Sequence, residues 1–129
     1  MTTTIRTAMP TDAPALFDAW EDMRAYQHSR DPRIIPAPIS RDDFIGAIDA
    51  MVSRPGSATF IAEDNGALVG FIRGLVEMNQ TDRLPDRHAT VGYLYVAPTH
   101  RRTGLGTLLF HSVSAWAATQ PGVRHIEMS

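Results

Sequence analysis

The apolar positions of this chain change their spacing several times, and each change marks an element. Residues 3–7 alternate, with Ile5 on the inward side, which predicts a short strand. Met9, Pro10, Thr11 and Asp12 punctuate it. Leu16, Phe17, Ala19, Trp20 and Met23 then recur at spacings of three and four, the pattern of an amphipathic helix reaching about Gln27. Thr11 or Asp12 can cap that helix, and Pro14 suits its first turn. Residues 29–40 hold Pro32, Pro36 and Pro38 and read as a loop. Ser40 with Asp43 resembles a capping box, with aspartate in place of the usual glutamate. Phe44, Ile45, Ile48 and Met51 give a second helix, which Arg54, Pro55, Gly56 and Ser57 stop.

The second half reads differently. Residues 58–64 predict a strand, Asn65 and Gly66 a hairpin turn whose positions tolerate positive φ, and residues 67–77 the return strand. Gly70 and Gly74 inside it mark bends or places of close approach. Residues 78–87 are polar, include Pro85, and read as a loop. Residues 91–96 are β-branched, aromatic and aliphatic, a strand that Pro98 ends because proline has no N–H for a ladder. Leu105, Leu108, Leu109, Val113 and Trp116 fall at helical spacing between about Thr103 and Thr119. Pro121 and Gly122 stop that helix, and residues 123–128 form a last strand. The order β-α-α-β-β-β-α-β predicts one domain over residues 1–129, of the α/β class (α+β in stricter schemes), with a mixed, mostly antiparallel sheet and flanking helices.

Chemistry concentrates where the 91–96 strand meets the following helix. Arg101 and Arg102 lead into Thr103, Gly104, Leu105 and Gly106. A helix N-terminus has unpaired N–H groups and a partial positive charge. Glycines let backbone approach a phosphate closely, and arginines add full charge. The stretch therefore predicts a site for something that carries phosphates. A dinucleotide fingerprint does not fit: the third small residue of G-x-G-x-x-G is missing, and the loop from Val96 to Gly104 is too long for that tight turn. A Walker loop fails for want of Gly-Lys-Ser/Thr.

The same residues carry a resemblance. Leu94, Tyr95, Val96, Ala97 and Pro98, followed by Arg101, Arg102, Thr103, Gly104, Leu105 and Gly106, resemble the acetyl-coenzyme A signature (Gln/Arg-x-x-Gly-x-Gly/Ala) of the GNAT family of N-acetyltransferases. Ile5, Arg6, Ala8 and Asp12 before a helix, and the hairpin from Ala62 to Ile72, are also similar to that family. The resemblance implies the acyl-CoA N-acyltransferase fold and transfer of an acetyl group from acetyl-CoA to a primary amine by direct attack. It implies that Leu94 and Val96 offer backbone groups to the pantetheine arm of the cosubstrate, on a strand splayed from its neighbour. It further implies that Arg101, Arg102, Thr103, Gly104, Leu105, Gly106 and Thr107, with Tyr95 in the adjoining strand, form the cofactor-binding segment.

Proton handling is less well specified. In many relatives a glutamate on the signature strand is the base; the matching position here is Gly92, beside Tyr93. Glu77, Glu21 and Asp22 are the carboxylates that remain as candidates. Tyr93 and Tyr95 each carry a hydroxyl that can donate a proton, although strand tyrosines usually pack. The catalytic residues are therefore left unassigned, with Glu77 and Tyr93 as the named candidates. Relatives place an acidic tyrosine on a helix beyond the last strand here, and Ser129 stands where that segment would begin. The expectation is thus a C-terminally shortened domain with one sheet edge that strand exchange or a homodimer would cover. A non-catalytic acyl-CoA-binding fragment is the competing reading, and a general phosphate- or nucleotide-binding module the third. The acceptor, a small molecule or peptide amine, would be met by residues 26–39.

Composition changes this picture in few places. The 129 residues carry a net charge of −2, so no global positive field argues for nucleic acid. There is no cysteine, which removes disulfides and thiolate chemistry. All 12 basic residues are arginine, which stays charged at any working pH and grips phosphate with a planar fork. The five histidines have no metal-ligand spacing, so no metal is expected. His125 and Glu127 share a strand face, which is ordinary. No apolar run approaches the ~20 residues of a membrane span, and the N-terminus has no secretory h-region. The expected location is cytoplasmic, with no membrane partner.

Overall fold

Five strands and three helices follow one another in the predicted order. The computed structural model describes residues 3–33, 39–79 and 86–128. The predicted loop residues 34–38 and 80–85, with Pro36, Pro38 and Pro85, lie outside the described residues. The strands are β1 (Thr3–Thr7), β2 (Ser57–Asp64), β3 (Ala67–Asn79), β4 (Asp86–Val96) and β5 (Val123–Met128). The helices are α1 (Ala13–Arg30), α2 (Arg41–Ser53) and α3 (Leu105–Ala118), with 3-10 turns at Pro10–Asp12 and Pro98–His100. The sheet order is β1-β2-β3-β4-β5; the first three pairings are antiparallel and β4–β5 is parallel. This is the mixed, mostly antiparallel sheet the sequence predicts.

Helices cover both faces, so the apolar residues fall into two layers. On one face α1 and α2 bury Leu16, Ala19, Met23, Phe44 and Ile48 against Ile61, Phe71 and Tyr95. Phe17, Trp20 and Phe44 form an aromatic group there, with ring centroids 4.9–6.3 Å apart. On the other face α3 buries Leu105, Leu109 and Val113 against Ala62, Val69, Ile72 and Val91. Two glycines of β3 allow this approach. A Cβ at Gly70 would lie 2.9 Å from the Tyr95 carbonyl oxygen and 3.1 Å from Leu109, and one at Gly74 would collide with Val113.

Local signals behave as expected in several places. The Ser40 hydroxyl accepts the Asp43 N–H at 3.0 Å and caps α2. Asn65 and Gly66 both have positive φ (53° and 79°), as the hairpin turn requires. Asp12 does not cap α1 with its side chain. Its carboxylate instead accepts the Met9 N–H at 2.7 Å and a bidentate grip from Arg6, which also pairs with Glu63. The Arg6 bond is the main reason the Asp12 carboxyl is held below its ordinary pKa.

Three boundaries differ from the sequence reading. First, α1 continues through Ser29 and Arg30, because the Ser29 hydroxyl donates to the Tyr26 carbonyl and so meets one of the open helix-end acceptors. Second, α3 starts at Leu105 rather than Thr103; Thr103 turns its hydroxyl to the His100 carbonyl, and Gly104 takes a left-handed φ of 85°. Third, residues 78, 79, 86 and 87 are strand rather than loop, with Asn79 opposite Asp86 and Met78 opposite Arg87. Polar side chains gather near this end of the sheet. His88 is 3% exposed, its Nε2 stands 3.6 Å from Glu77 and 3.4 Å from Glu127, and its ring stacks on His125 at 5.3 Å. A backbone ladder needs no apolar side chains, so polarity hid these strand ends.

Candidate functional site

The site begins with what β4 does beyond Val91. β5 accompanies it only as far as the Val91–Met128 pair. On the other side β3 pairs with it to Val96, and Ala97 still donates its N–H to the Val69 carbonyl at 2.8 Å. Backbone groups alternate sides along a strand, so residues 93, 95 and 97 turn toward β3. Leu94 and Val96 turn their N–H and C=O the other way, to an edge with no strand partner among the described residues. Their side chains flank the start of α3: a Cβ on Gly106 would lie 3.8 Å from Val96 and 3.9 Å from Leu94, ordinary contact.

The loop that follows is held by two struts. His100 Nε2 lies 2.8 Å from an oxygen of Asp64 at the end of β2, and the His100 Nδ1 lies 2.8 Å from the Thr99 hydroxyl. Arg101 folds back, with Nε donating to the Val96 carbonyl at 3.0 Å and the guanidinium 4.6 Å above the Tyr26 ring. Arg102 and Gly104 then take positive φ, 65° and 85°. The first bond of α3 runs from the Leu108 N–H to the Gly104 carbonyl, and no side chain caps the helix. The N–H groups of Leu105, Gly106 and Thr107 precede that bond, at the positive end of the helix dipole. Left-handed residues before a helix start make the backbone concave toward its N–H groups, a shape that suits an anion.

Two clefts meet at β4. One, of about 320 Å³, lies between the open edge and the second half of α1 and is lined by Met23, Tyr26, Gln27, Leu94, Tyr95, Val96 and Arg101. Tyr95 is fixed under it by a hydrogen bond from its hydroxyl to Asp22. Burial, and secondarily that bond, push the Tyr95 pKa up from 10.0 to about 12. The other cleft, of about 190 Å³, lies between α1, α2 and the sheet. Its walls are apolar, with Leu16, Trp20, Ile39, Phe44, Ile48 and Phe71, while Thr59, Arg73 and Tyr93 form its polar floor.

The structure brings together most of the predicted site residues. Leu94, Tyr95, Val96 and Arg101 line one cleft, and Arg102 through Thr107 form the adjoining turn and helix start. Tyr93 is 44% exposed and belongs to the second cleft, next to Leu94. Glu77 is not brought to this junction. It stands five residues along β3 from Ile72, the partner of Leu94, roughly 16 Å away at strand rise, and accepts the Thr90 hydroxyl at 3.1 Å. Asp22 is engaged by Tyr95 and Glu21 by Arg24. A side chain at Gly92 would meet open space, with nothing within 4 Å of its Cβ. Tyr26 and Ile39, the described ends of the expected acceptor segment, fall in different clefts.

Arg73 is the residue that sequence reasoning passed over. Its signal was a single arginine in the middle of the apolar run from Leu68 to Val76. Its Nε is buried without a hydrogen-bond partner. Burial, reinforced by Arg54 and opposed by the Tyr93 hydroxyl, draws its pKa below the ordinary value. Among the described residues no group of three or more His, Cys, Asp or Glu side chains could hold a metal ion, and no helix is long and apolar enough to cross a membrane.

The sequence model of the acetyltransferase (GNAT) family matches residues 14–129. No curated protein matches the chain. Among solved structures, a tetramutant of a Bacillus halodurans protein superposes with a TM-score of 0.81 at 15% identity, over 98% of this chain and 81% of that one. An acetyltransferase from Vibrio fischeri gives 0.77 at 21% identity, over 97% and 95%. An aminoglycoside N-acetyltransferase in complex with CoA gives 0.70 at 19% identity, over 99% and 76%.

Proposed function

From the premise that the chain belongs to the acetyltransferase (GNAT) family of acyltransferases, we propose that it is an N-acetyltransferase that moves an acetyl group from acetyl-CoA to a primary amine. The acceptor is a small molecule or a peptide, residues 1–129 act as one acetyltransferase domain, and the reaction takes place in the cytoplasm. The observation that carries this reading is the free edge at Leu94 and Val96, continuous with the left-handed turn and uncapped start of α3. An extended, amide-bearing ligand fits the edge, and its pyrophosphate fits the N–H groups of residues 102–107. Gly106 leaves the space between them clear. The Arg101 guanidinium swings from Val96 to the phosphates as the arm takes over that carbonyl; its side chain is exposed and has no carboxylate partner among the described residues.

The chemistry is a direct displacement. The amine nitrogen bonds to the thioester carbonyl carbon, the C–S bond breaks, and the thiolate leaves with a proton. The Leu94 N–H faces the open edge and stabilises the carbonyl oxygen as charge develops on it. Tyr93 neighbours Leu94 in the chain, is exposed and lines the second cleft, so it is the candidate for proton transfer in place of Glu77.

Calorimetry with acetyl-CoA tests the binding half. Ligand at ~100 times its dissociation constant should add about 2.7 kcal/mol of stability; absence of both heat and thermal shift would refute the proposal. Gly106→Ala should fold as the parent does, because a Cβ there makes only ordinary contacts, yet weaken the ligand shift because the methyl narrows the approach to Leu94 and Val96. A second reading, an acyl-CoA-binding protein without turnover, is favoured by the bare Gly92 and the distant Glu77. Binding without thiol release across an amine panel would select it.

A further inference from the structure

The cleft between α1, α2 and the sheet has a floor that its walls do not explain. Thr59, Arg73 and Tyr93 stand directly opposite one another on β2, β3 and β4, a hydroxyl, a guanidinium and a phenol in one row. Around them are Leu16, Trp20, Phe44, Ile48 and Phe71. A half-buried cation among apolar walls gains from a carboxylate beside it, through charge-assisted and bidentate hydrogen bonds. Arg73 has no ion pair and no side-chain hydrogen bond among the described residues, and its Nε is sealed from solvent with no acceptor. The nearest charged neighbour it feels is Arg54, of the same sign.

We propose that this row is the recognition site for a carboxylate on the acceptor, and that the acceptor is a small amine bearing a carboxylate and an apolar side chain, as in an aromatic or branched aliphatic α-amino acid. The proposal rests on the acetyl-transfer reading for the word acceptor, and on the cleft alone for the carboxylate. The guanidinium fork matches a carboxylate in a bidentate manner, and the Thr59 and Tyr93 hydroxyls flank it as further donors. The apolar walls take the side chain. Neighbouring strands lie about 4.8 Å apart, so a carboxylate held by Arg73 between β3 and β4 leaves an α-amine on the β4 side of the row. The volume of about 190 Å³ lies below the ~300–1,000 Å³ of clefts for drug-sized ligands, which suits a compact molecule rather than a folded protein segment. An aliphatic polyamine is disfavoured, since it would bring further positive charge to Arg73 and Arg54.

The test compares three probes of one shape: phenylalanine, phenylalaninamide and phenethylamine, each assayed by thiol release with acetyl-CoA, in the parent protein, Arg73→Met and Arg73→Lys. Phenylalanine should exceed both analogues that lack the carboxylate by about tenfold or more in kcat/KM, tenfold being what ~1.4 kcal/mol of discrimination gives. Arg73→Met should erase that preference by raising KM for phenylalanine to the range of phenethylamine, and Arg73→Lys should retain part of it. Arg73→Met is expected to fold about as well as the parent, because an apolar chain of similar length replaces a half-buried cation that has no ion pair among the described residues. Calorimetry with N-acetylphenylalanine, with no acetyl-CoA present, reads the same site without turnover and should show binding that Arg73→Met removes. Equal use of phenethylamine by the parent, or a preference that survives in Arg73→Met, would overturn the carboxylate site. If acetyl-CoA does not bind but N-acetylphenylalanine still binds through Arg73, the transferase reading falls and the carboxylate site stands. Absence of N-acetylphenylalanine binding together with absence of any phenylalanine turnover overturns the inference.

Discussion

Replacing Gly74 by alanine perturbs the contact that seats α3 on the sheet. The new methyl would overlap Val113 Cγ2 and lie 3.2 Å from Trp116 Cζ3. Carbon atoms rest at about 3.5–4.0 Å, so Val113 has to withdraw by about 1 Å or more. Val113 is 1% exposed and sits in the centre of the α3 layer, which leaves it no space to enter. Overpacking of this kind costs about 1–3 kcal/mol, offset by roughly 0.5–1 kcal/mol from replacing a strand glycine. The net expectation is a loss of about 1–2 kcal/mol, or a Tm lowered by roughly 4–8 °C for a chain of this size. Urea unfolding followed by circular dichroism should show a lower midpoint with unchanged slope. Val113→Ala alone removes two methyls, worth about 0.8 kcal/mol each before the cavity is counted. In the double variant the alanine methyl enters the space Val113 vacates, so the combined loss should fall short of the sum by about 1 kcal/mol. Additivity within ~0.5 kcal/mol would refute the packing argument. Gly92→Ala, on the neighbouring strand and facing open space, supplies the control and should lose nothing.

Two pH dependences follow from the ionisable groups. Tyr95 titrates higher in the folded chain than in the unfolded, near 12 rather than 10.0, so its share of stability is whole below pH 10 and fades as pH rises to 12. No lysine titrates in that window, so Tyr95→Phe should visibly flatten the fall of the urea midpoint between pH 9 and 12; parallel curves would remove Tyr95 from the account. Asp12 is displaced the other way, below its ordinary value by the Arg6 bond. Its contribution is present above pH ~4 and lost as acid protonates it, and Asp12→Asn should weaken the fold at neutral pH while making it less sensitive to acid below pH 4. An unchanged acid limb would mean that Arg6 holds Asp12 with no net stabilisation.

Much of this architecture is legible in the residues themselves. Apolar spacing locates every helix and strand, Ser40 and the Asn65–Gly66 turn act as their chemistry demands, and the glycines of β3 lie where α3 comes closest. Leu94 and Val96 are named only through the resemblance to the family signature, which the arginine- and glycine-rich loop after the strand carries. The far ends of β3 and β4 were hidden for the opposite reason: polar residues such as His88 and Glu77 stand side by side on the sheet, and a polar run leaves no hydrophobic trace. Arg73 was hidden because a single charged residue in an apolar run has no periodicity. Its meaning comes from Thr59 and Tyr93, which reach it from other strands.

The coincidence of sheet order with chain order has a bearing on how the molecule forms. β2, β3 and β4 are neighbours in both senses, so each pairing closes a short loop. β1 pairs across the helices, from Thr3 to Asp64, and loop-closure entropy makes that the later event. Substitutions in β3 should therefore slow folding, while those in β1 should chiefly speed unfolding, with φ-values near zero at Ile5; a high value at Ile5 would reverse this order. The strand that carries the open edge is then assembled early, before Arg6 reaches Asp12 and Glu63 and fastens the N-terminus to the sheet.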